Sequence, residues 1–237
     1  MNNTFYELID ENEDFIIINK YPDVNFHSEN NEKGLFAKLK EDFNYPLYAV
    51  HRLDKITSGL ILVAKTSEIA SEISKMFSQR KIDKYYVAVS DKKPKKKMGL
   101  ISGDMKKARN GQWKLTRTFE NPAITRFSSF KYEDKYFFIL KPYTGKTHQL
   151  RVAMKSISSP IIGDVLYGGT NADRGYLHAF RLEFLHKGIK YHYENIPKNG
   201  ILFNNEYIRE KFLDILSEGK TSLKKNRKML IFENFLV

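Results

Sequence analysis

The nine residues His51-Arg52-Leu53-Asp54-Lys55-Ile56-Thr57-Ser58-Gly59 set one carboxylate among three potentially cationic side chains, directly before the apolar run Leu60-Ile61-Leu62-Val63-Ala64. Cationic neighbours keep a carboxylate ionised, which suits Asp54 to act as a nucleophile or electrostatic stabiliser and not as a general acid. The same cluster also suits a surface ion pair, because structural networks perturb acids in the same way. A second stretch is Gly145-Lys146-Thr147-His148-Gln149-Leu150-Arg151. Thr147 can cap a helix there and set His148 and Arg151 one turn apart on one face, which taken alone is an ordinary polar helix start. Gly145-Lys146-Thr147 also invites a phosphate-loop reading, but position 140, where that loop needs its first glycine, is Leu.

Other chemistries find little support. Histidines stand at 27, 51, 148, 178, 186 and 192, with no H-E-x-x-H pair and no carboxylate at ligand spacing, so no metal site is expected. Neither a G-x-S-x-G elbow nor a glycine fingerprint after a strand is present, which argues against an acyl hydrolase and a dinucleotide enzyme. No cofactor is signalled. A nucleic-acid hydrolase using Asp54 lacks the further carboxylates that would hold magnesium. The chain has no Cys, which removes thiolate nucleophiles, disulfides and Cys-ligated clusters together and fits a reducing cytoplasm. Its longest apolar runs fall far short of the roughly 20 residues of a membrane helix, and Met1 to Leu8 has no basic flank or apolar signal core. We therefore expect a cytoplasmic protein with no membrane partner; a monomer is the default, since nothing in the sequence bears on oligomeric state.

The elements that must position these residues are mostly strands. Phe15 to Ile18, Gly59 to Ala64, Tyr85 to Val89, Ala123 to Phe130, Tyr136 to Leu140 and Tyr176 to Phe184 are short, rich in β-branched or aromatic residues and bounded by turn residues. Helical spacing occurs at Leu35, Phe36, Leu39 and Phe43, and at Ile69, Ile73, Met76 and Phe77 after a Ser67 cap. A third helix is predicted from Thr147 to Ile157 and a fourth over about Glu206 to Leu216, with Gly219 beyond it. Strands outnumber helices without alternating with them, which predicts an α+β fold: a mixed, mostly antiparallel central sheet flanked by helices and loops. Residues 1–200 read as one catalytic domain and 201–237 as a C-terminal helical appendage with a polar tail.

The formal net charge of +12 is unevenly spread. Residues 1–50 hold 4 Lys and Arg against 10 Asp and Glu, whereas residues 75–118 hold 14 against 3. That middle stretch contains a basic insertion, about 90–112, with Lys92, Lys93, Lys95, Lys96 and Lys97 followed by Lys106, Lys107 and Arg109. A concentrated basic block is either a solvated loop or a surface for a nucleic-acid backbone. Trp113 and Tyr132 near it read as core residues.

His51 to Asp54 with Thr57 to Leu60, then Lys84-Tyr85-Tyr86-Val87-Ala88-Val89, Gly145 to Val152, and Pro160 to Gly168 resemble, in order and spacing, the motifs of the RluA-type pseudouridine synthases. Leu177-His178-Ala179 and Asn19-Lys20 extend the likeness over roughly residues 5–190. Lys146 where that family usually has Arg, Ala153 for a common His, Ser158-Ser159 for a frequent Gly, and Tyr21 after Lys20 for Pro mark a divergent branch. The family's frequent N-terminal S4-like module is not expected, since the first motif lies within the first twenty residues.

The resemblance implies the pseudouridine synthase fold and an isomerase that converts uridine in transfer or ribosomal RNA to its C-glycoside without metal or cofactor. It implies Asp54 as catalytic aspartate, Tyr86 as active-site tyrosine, Arg151 as the basic partner of that aspartate, and Arg52 as an RNA contact beside a flipped base. His51, Lys84, Lys146, His148 and the Lys92 to Lys97 run are the further RNA-binding candidates. The competing reading from another class is a non-catalytic RNA-binding or assembly protein on the same fold, against which the joint presence of Asp54, Tyr86 and Arg151 speaks.

Overall fold

The computed structural model describes residues 4–211 and residue 214. In chain order the elements are β1 Tyr6–Glu11, β2 Phe15–Lys20, α1 Leu35–Asp42, β3 Tyr48–Ala49, β4 Ser58–Ala64, α2 Ser67–Ser78, β5 Ile82–Ser90, β6 Met98–Gly103, β7 Met105–Lys107, β8 Trp113–Leu115, β9 Ala123–Tyr132, β10 Lys135–Pro142, α3 Gln149–Ser156, a 3-10 turn Val165–Tyr167, β11 Leu177–His186 and β12 Ile189–Glu194. Ten strands form one sheet with the path β1-β2-β4-β11-β5-β10-β9-β6, β3 and β12 pairing from the side, while β7 and β8 make a separate hairpin. Every pairing in the sheet is antiparallel except the short parallel contact of β4 with β11 at Ser58–His178 and Gly59–Ala179. The α+β expectation is therefore met.

The apolar runs read as strands sit in the middle of the sheet, where both faces are covered. Along β2, Ile16 and Ile18 enter the main core while Phe15 and Ile17 enter a smaller one, and β4 alternates likewise with Ile61 and Val63 against Leu60 and Leu62. Helix α2 closes the smaller core with Ile69, Ile73 and Met76, three and four residues apart. Its cap is Thr66 and not Ser67: the Thr66 hydroxyl accepts the Ile69 amide at 3.2 Å, a contact worth about 1 kcal/mol. Ser67 lies inside the helix and donates to Glu68 instead.

Gly59 is required where β11 crosses the start of β4. Its φ is +114°, and a Cβ there would stand 2.2 Å from the Ala179 carbonyl oxygen. This close crossing brings β11 directly beneath the loop that carries Asp54.

Beyond β12, Phe203 and Ile208 are fully buried in the main core, Tyr207 stacks on Tyr132 at 4.4 Å, and a helical segment begins at residue 206. The rest of the fourth predicted helix, Gly219 and the polar tail lie outside the described residues. Tyr132 is a half-buried flank of the core, and Trp113 is half-buried on β8 outside it, so neither is the core residue its type suggested. Among the described residues no helix is long and apolar enough to cross a membrane.

Candidate active site

A cleft of about 400 Å³ opens between the loop His51 to Thr57, the first half of β5, and the segment from Pro142 to Leu150 that joins β10 to α3. Asp54 lies in it with its side chain 19% exposed. The Asp54 carbonyl accepts the Thr57 amide at 3.0 Å, closing the turn that feeds β4.

The cations expected around Asp54 are not those adjacent in sequence. His51 Nε2 accepts the Leu62 amide at 2.9 Å, and burial followed by the charge of Lys84 pulls its pKa down to about 3, so it is neutral. Lys55 turns to Glu32 at 3.9 Å, and Arg52 is exposed at the cleft. The guanidinium facing Asp54 belongs to Arg151, whose Nη1 stands 3.7 Å from Oδ2.

Arg151 is held chiefly by another carboxylate. Its Nε and Nη2 each donate at 2.8 Å to the two oxygens of Asp164, which is 1% exposed. The basic partner expected for Asp54 thus spends its fork on Asp164, and Nη1 alone is turned toward Asp54. Burial disfavours the Arg151 charge, but the Asp164 hydrogen bonds and then the field of Asp54 outweigh it and raise its pKa. Tyr167 closes the underside, its ring 4.8 Å from the guanidinium carbon. The Tyr167 oxygen accepts the Trp113 amide at 2.8 Å and contacts His148 Nδ1 at 2.9 Å. His148 and Arg151 do share a face, and Tyr167 is what they share.

The start of α3 also differs from expectation. The N-cap is His148, in the left-handed region at φ 56°, without a side-chain cap, and Thr147 is exposed. Gln149 does the capping work from inside the helix. Its Oε1 accepts from the Thr144 hydroxyl at 2.7 Å and the Lys146 amide at 3.0 Å, while Nε2 donates to the Ile124 carbonyl at 3.1 Å and the Thr125 hydroxyl at 3.0 Å. All four of its hydrogen-bonding positions are filled, so the cleft's upper lip is fixed to β9.

On β5, Tyr86 is 7% exposed in the cleft wall, and burial, then the charge of Asp54, raise its pKa, so it stays a neutral phenol. Lys84 also lines the cleft, 5.4 Å from the Phe77 ring centre, and burial lowers its pKa to about 8. Lys146 lines the lip and donates to Asn121 at 2.7 Å.

Lys92, Lys93, Lys95, Lys96 and Lys97 do not line the cleft. They follow the far end of β5, since Tyr86 pairs with Leu140 near the cleft while Ser90 pairs with Tyr136 away from it. The run is pinned through its backbone: the Lys95 amide donates to Ile157 at 3.2 Å, Lys92 O accepts from the Ser159 hydroxyl at 2.9 Å, and Lys97 O accepts from the Ser129 amide at 2.7 Å. The later basic residues are separate from it. Lys106, Lys107 and Arg109 belong to the β7–β8 hairpin, which reaches the Arg151 network through Trp113.

Asp164, Tyr167 and Gln149 lay within the stretches noted in the sequence, yet no role was assigned to them; the signal was the pairing of a helix Arg with an Asp in the following Gly-Asp turn. Among the described residues no group of three or more His, Asp or Glu side chains is arranged to hold a metal ion.

A buried guanidinium network presenting one cationic edge to a carboxylate, beside an aromatic wall in a nucleoside-sized cleft, could serve more than one family of enzymes that work on a planar base. Sequence comparison states which. The RNA pseudouridylate synthase family matches residues 14–156. An uncharacterized RNA pseudouridine synthase of Haemophilus influenzae is 56% identical over 182 residues, which cover 75% of this chain and 81% of that one. A tRNA pseudouridine synthase C of Haemophilus ducreyi is 31% identical over 208 residues, covering 76% of this chain and 85% of that one. The solved human RNA pseudouridylate synthase domain containing 1 shares the fold at a TM-score of 0.70 and 24% identity, covering 82% of this chain and 84% of that one. The chain belongs to the RNA pseudouridylate synthase family, enzymes that isomerise uridine within RNA to pseudouridine, as the RluA-type motifs implied.

Proposed function

We propose that Asp54 is the catalytic carboxylate, and the observation that carries this is its place in the cleft, 3.7 Å from an Arg151 whose Nε and Nη2 are given to Asp164. A uridine buried in folded RNA must leave its stack to expose the glycosidic bond, and Tyr86 supplies the ring on which the extruded base rests. Asp54 then acts on the base, on the ribose carbon or on a sugar proton. The bond from N1 to C1′ breaks, uracil turns within the cleft, C5 bonds to C1′, and the C5 proton is lost while N1 gains one. The exchange is redox-neutral and needs water excluded more than it needs an added group. Arg151 holds the carboxylate's charge and orientation, and Asp164 and Tyr167 hold Arg151.

Arg52, Lys84, Lys146 and His148 surround the cleft and are the contacts to the flipped nucleotide and its phosphates. His51 supports the loop as a neutral acceptor. Lys92, Lys93, Lys95, Lys96 and Lys97 lie outside the cleft and serve as a distal backbone contact. The substrate is transfer or ribosomal RNA, in the cytoplasm, with the enzyme a monomer; relatives carry both names, a tRNA pseudouridine synthase C and ribosomal large subunit pseudouridine synthases C and D. Residues 1–200 make the catalytic domain and 201–237 an appendage anchored by Phe203 and Ile208.

A pseudouridine map of cellular RNA tests both the substrate and the aspartate. A site lost when the gene is deleted, regained with the wild-type chain and not with Asp54→Asn is the expected result. Restoration by Asp54→Asn overturns the assignment.

A further inference from the structure

A second chamber of about 170 Å³ shares no lining residue with the cleft. Its buried lining residues are Asn19, Lys20, Ser58, Arg174, His178 and Pro197, the Asn19 side-chain oxygen having no hydrogen-bond partner among the described residues, and Glu7, Lys198 and Asn199 stand at the more exposed rim. It adjoins the catalytic loop through Lys20, whose ammonium donates to Lys55 O at 3.1 Å as well as to Tyr21 O at 2.8 Å.

Lys20 has no exposed surface and Arg174 is 5% exposed. Among the described residues neither has a carboxylate within 4.0 Å; each is met by neutral oxygens alone. Arg174 donates through Nε to Gly175 O at 3.0 Å, through Nη1 to Asn199 O at 3.1 Å, and through Nη2 to the Ser58 hydroxyl at 2.6 Å and Leu177 O at 3.5 Å. The hydroxyl donates to His178 Nδ1 at 2.7 Å, because His178 Nε2 must donate to Asn195 O at 2.8 Å. Burial, the largest influence, takes the His178 pKa down to about 3, so this histidine adds no charge. Glu7 is engaged at the rim, its Oε1 3.7 Å from Lys198 and its Oε2 accepting from Asn19 at 3.4 Å.

Two buried cations therefore face one cavity with one N–H each unspent. An unpaired buried charge costs several kcal/mol, and such groups are found paired or they lose their charge. Burial accordingly lowers the Lys20 pKa to about 7 and that of Arg174 to about 10. Asp23, which is exposed, acts on both from beyond 4 Å, and Asp54 acts on Lys20 and Asp173 on Arg174 likewise without an ion-pair contact. The cavity is several times the roughly 30 Å³ share of one water, room for a phosphate-sized ion.

We propose that this chamber binds a small oxyanion, the chemistry common to inorganic phosphate and a phosphate group of RNA, between Lys20 and Arg174. Its occupancy also stiffens the Asp54 loop, because the same ammonium holds the Lys55 carbonyl. The inference does not rest on the assignment of Asp54.

The test is thermal unfolding of the whole protein without RNA, titrated with inorganic phosphate in the low millimolar range against chloride at matched ionic strength, below the concentrations at which phosphate stabilises by exclusion. A saturable rise in Tm is expected for phosphate alone, with apparent affinity at least about tenfold weaker in Lys20→Met, a loss of about 1.4 kcal/mol. Lys198→Met, exposed and harmless to folding, weakens it about threefold even if Lys20→Met fails to fold. Equal phosphate responses in wild type and Lys198→Met, or no response in wild type, overturn the site. RNA affinity at saturating phosphate then separates the sources: a loss in wild type that vanishes in Lys20→Met assigns the chamber to an RNA phosphate, and unchanged affinity in both assigns it to the free anion.

Discussion

At one end of β5, Lys84 and Tyr86 line a cleft with Asp54 and are largely withdrawn from solvent; past the other end, five lysines between 92 and 97 stand on a loop outside it. The second region dominates the charge of the sequence. The first contains fewer charges, but two of its cations are fixed by partners from other segments: Arg151 by Asp164 and Tyr167, Lys146 by Asn121. Screening makes exposed lysines weak individually and additive over a phosphate backbone, whereas a buried guanidinium has one position and one effect. Under the proposed assignment, density of charge along the chain would mark where RNA is attracted, and burial with pairing where it is altered.

The sharpest way to break this contrast is at Arg151. Arg151→Met leaves Asp164 buried and unpaired, so stability should fall by about 3–5 kcal/mol, measured by denaturant unfolding, together with nearly all activity. Arg151→Met combined with Asp164→Leu should recover most of the stability and none of the rate, since the double change removes the stranded charge but still leaves Asp54 without a partner. Recovery of the rate by the double variant would show that Arg151 serves the fold alone.

A smaller effect is expected at Gln149. Gln149→Leu keeps the volume but strands the Lys146 amide and loosens the lip, a cost of about 1–3 kcal/mol in stability, with KM for RNA rising more than kcat falls. An unchanged KM would separate the lip from RNA binding.

Next comes a titration. The Lys84 pKa, lowered by burial to about 8, means its charge is present below that pH and lost as pH rises through it. RNA affinity in wild type should fall by about fivefold, roughly 1 kcal/mol, between pH 7 and 9, and Lys84→Met should flatten that dependence. Parallel curves for the two proteins would remove Lys84 from the interface.

The smallest effect on catalysis is expected at the lysine loop. Neutralising Lys92, Lys93, Lys95, Lys96 and Lys97 together should reduce the slope of log affinity against log salt, by up to about 3.5 if all five meet single-stranded phosphates. An unaltered slope makes the run a solvated loop.

The strands that position the cleft were legible because β2, β4 and β5 are buried on both faces and read as continuous apolar runs. β1 and β12 were not, since Tyr-Glu-Leu-Ile-Asp-Glu and Ile-Lys-Tyr-His-Tyr-Glu have polar residues at half or more of their positions on partly exposed strands. Thr66 and Ser67 offer the same capping chemistry, and the choice fell to whichever turned Ile69, Ile73 and Met76 inward. Asp54, Tyr86 and Arg151 were singled out through the order of motifs, and the structure sets Asp54 and Tyr86 in one cleft with Arg151 3.7 Å from Asp54. Asp164 was hidden because the guanidinium's partner depends on a turn 13 residues downstream of Arg151, and Lys20 because nothing in Asn19-Lys20 announces burial without a counter-ion. Spacing reports which face a residue takes; it does not report which of two carboxylates an arginine will reach first.

The central claim is that isomerisation belongs to the cleft and attraction to the lysine loop. Single-turnover pseudouridine formation at saturating RNA, with affinity measured on the same samples, compares Asp54→Asn with the five-lysine variant directly. Asp54→Asn should form no pseudouridine while binding RNA within about tenfold of wild type, under about 1.4 kcal/mol, and the lysine variant should bind more weakly at a wild-type rate. Turnover by Asp54→Asn, or a lost rate with intact affinity in the lysine variant, would contradict the account.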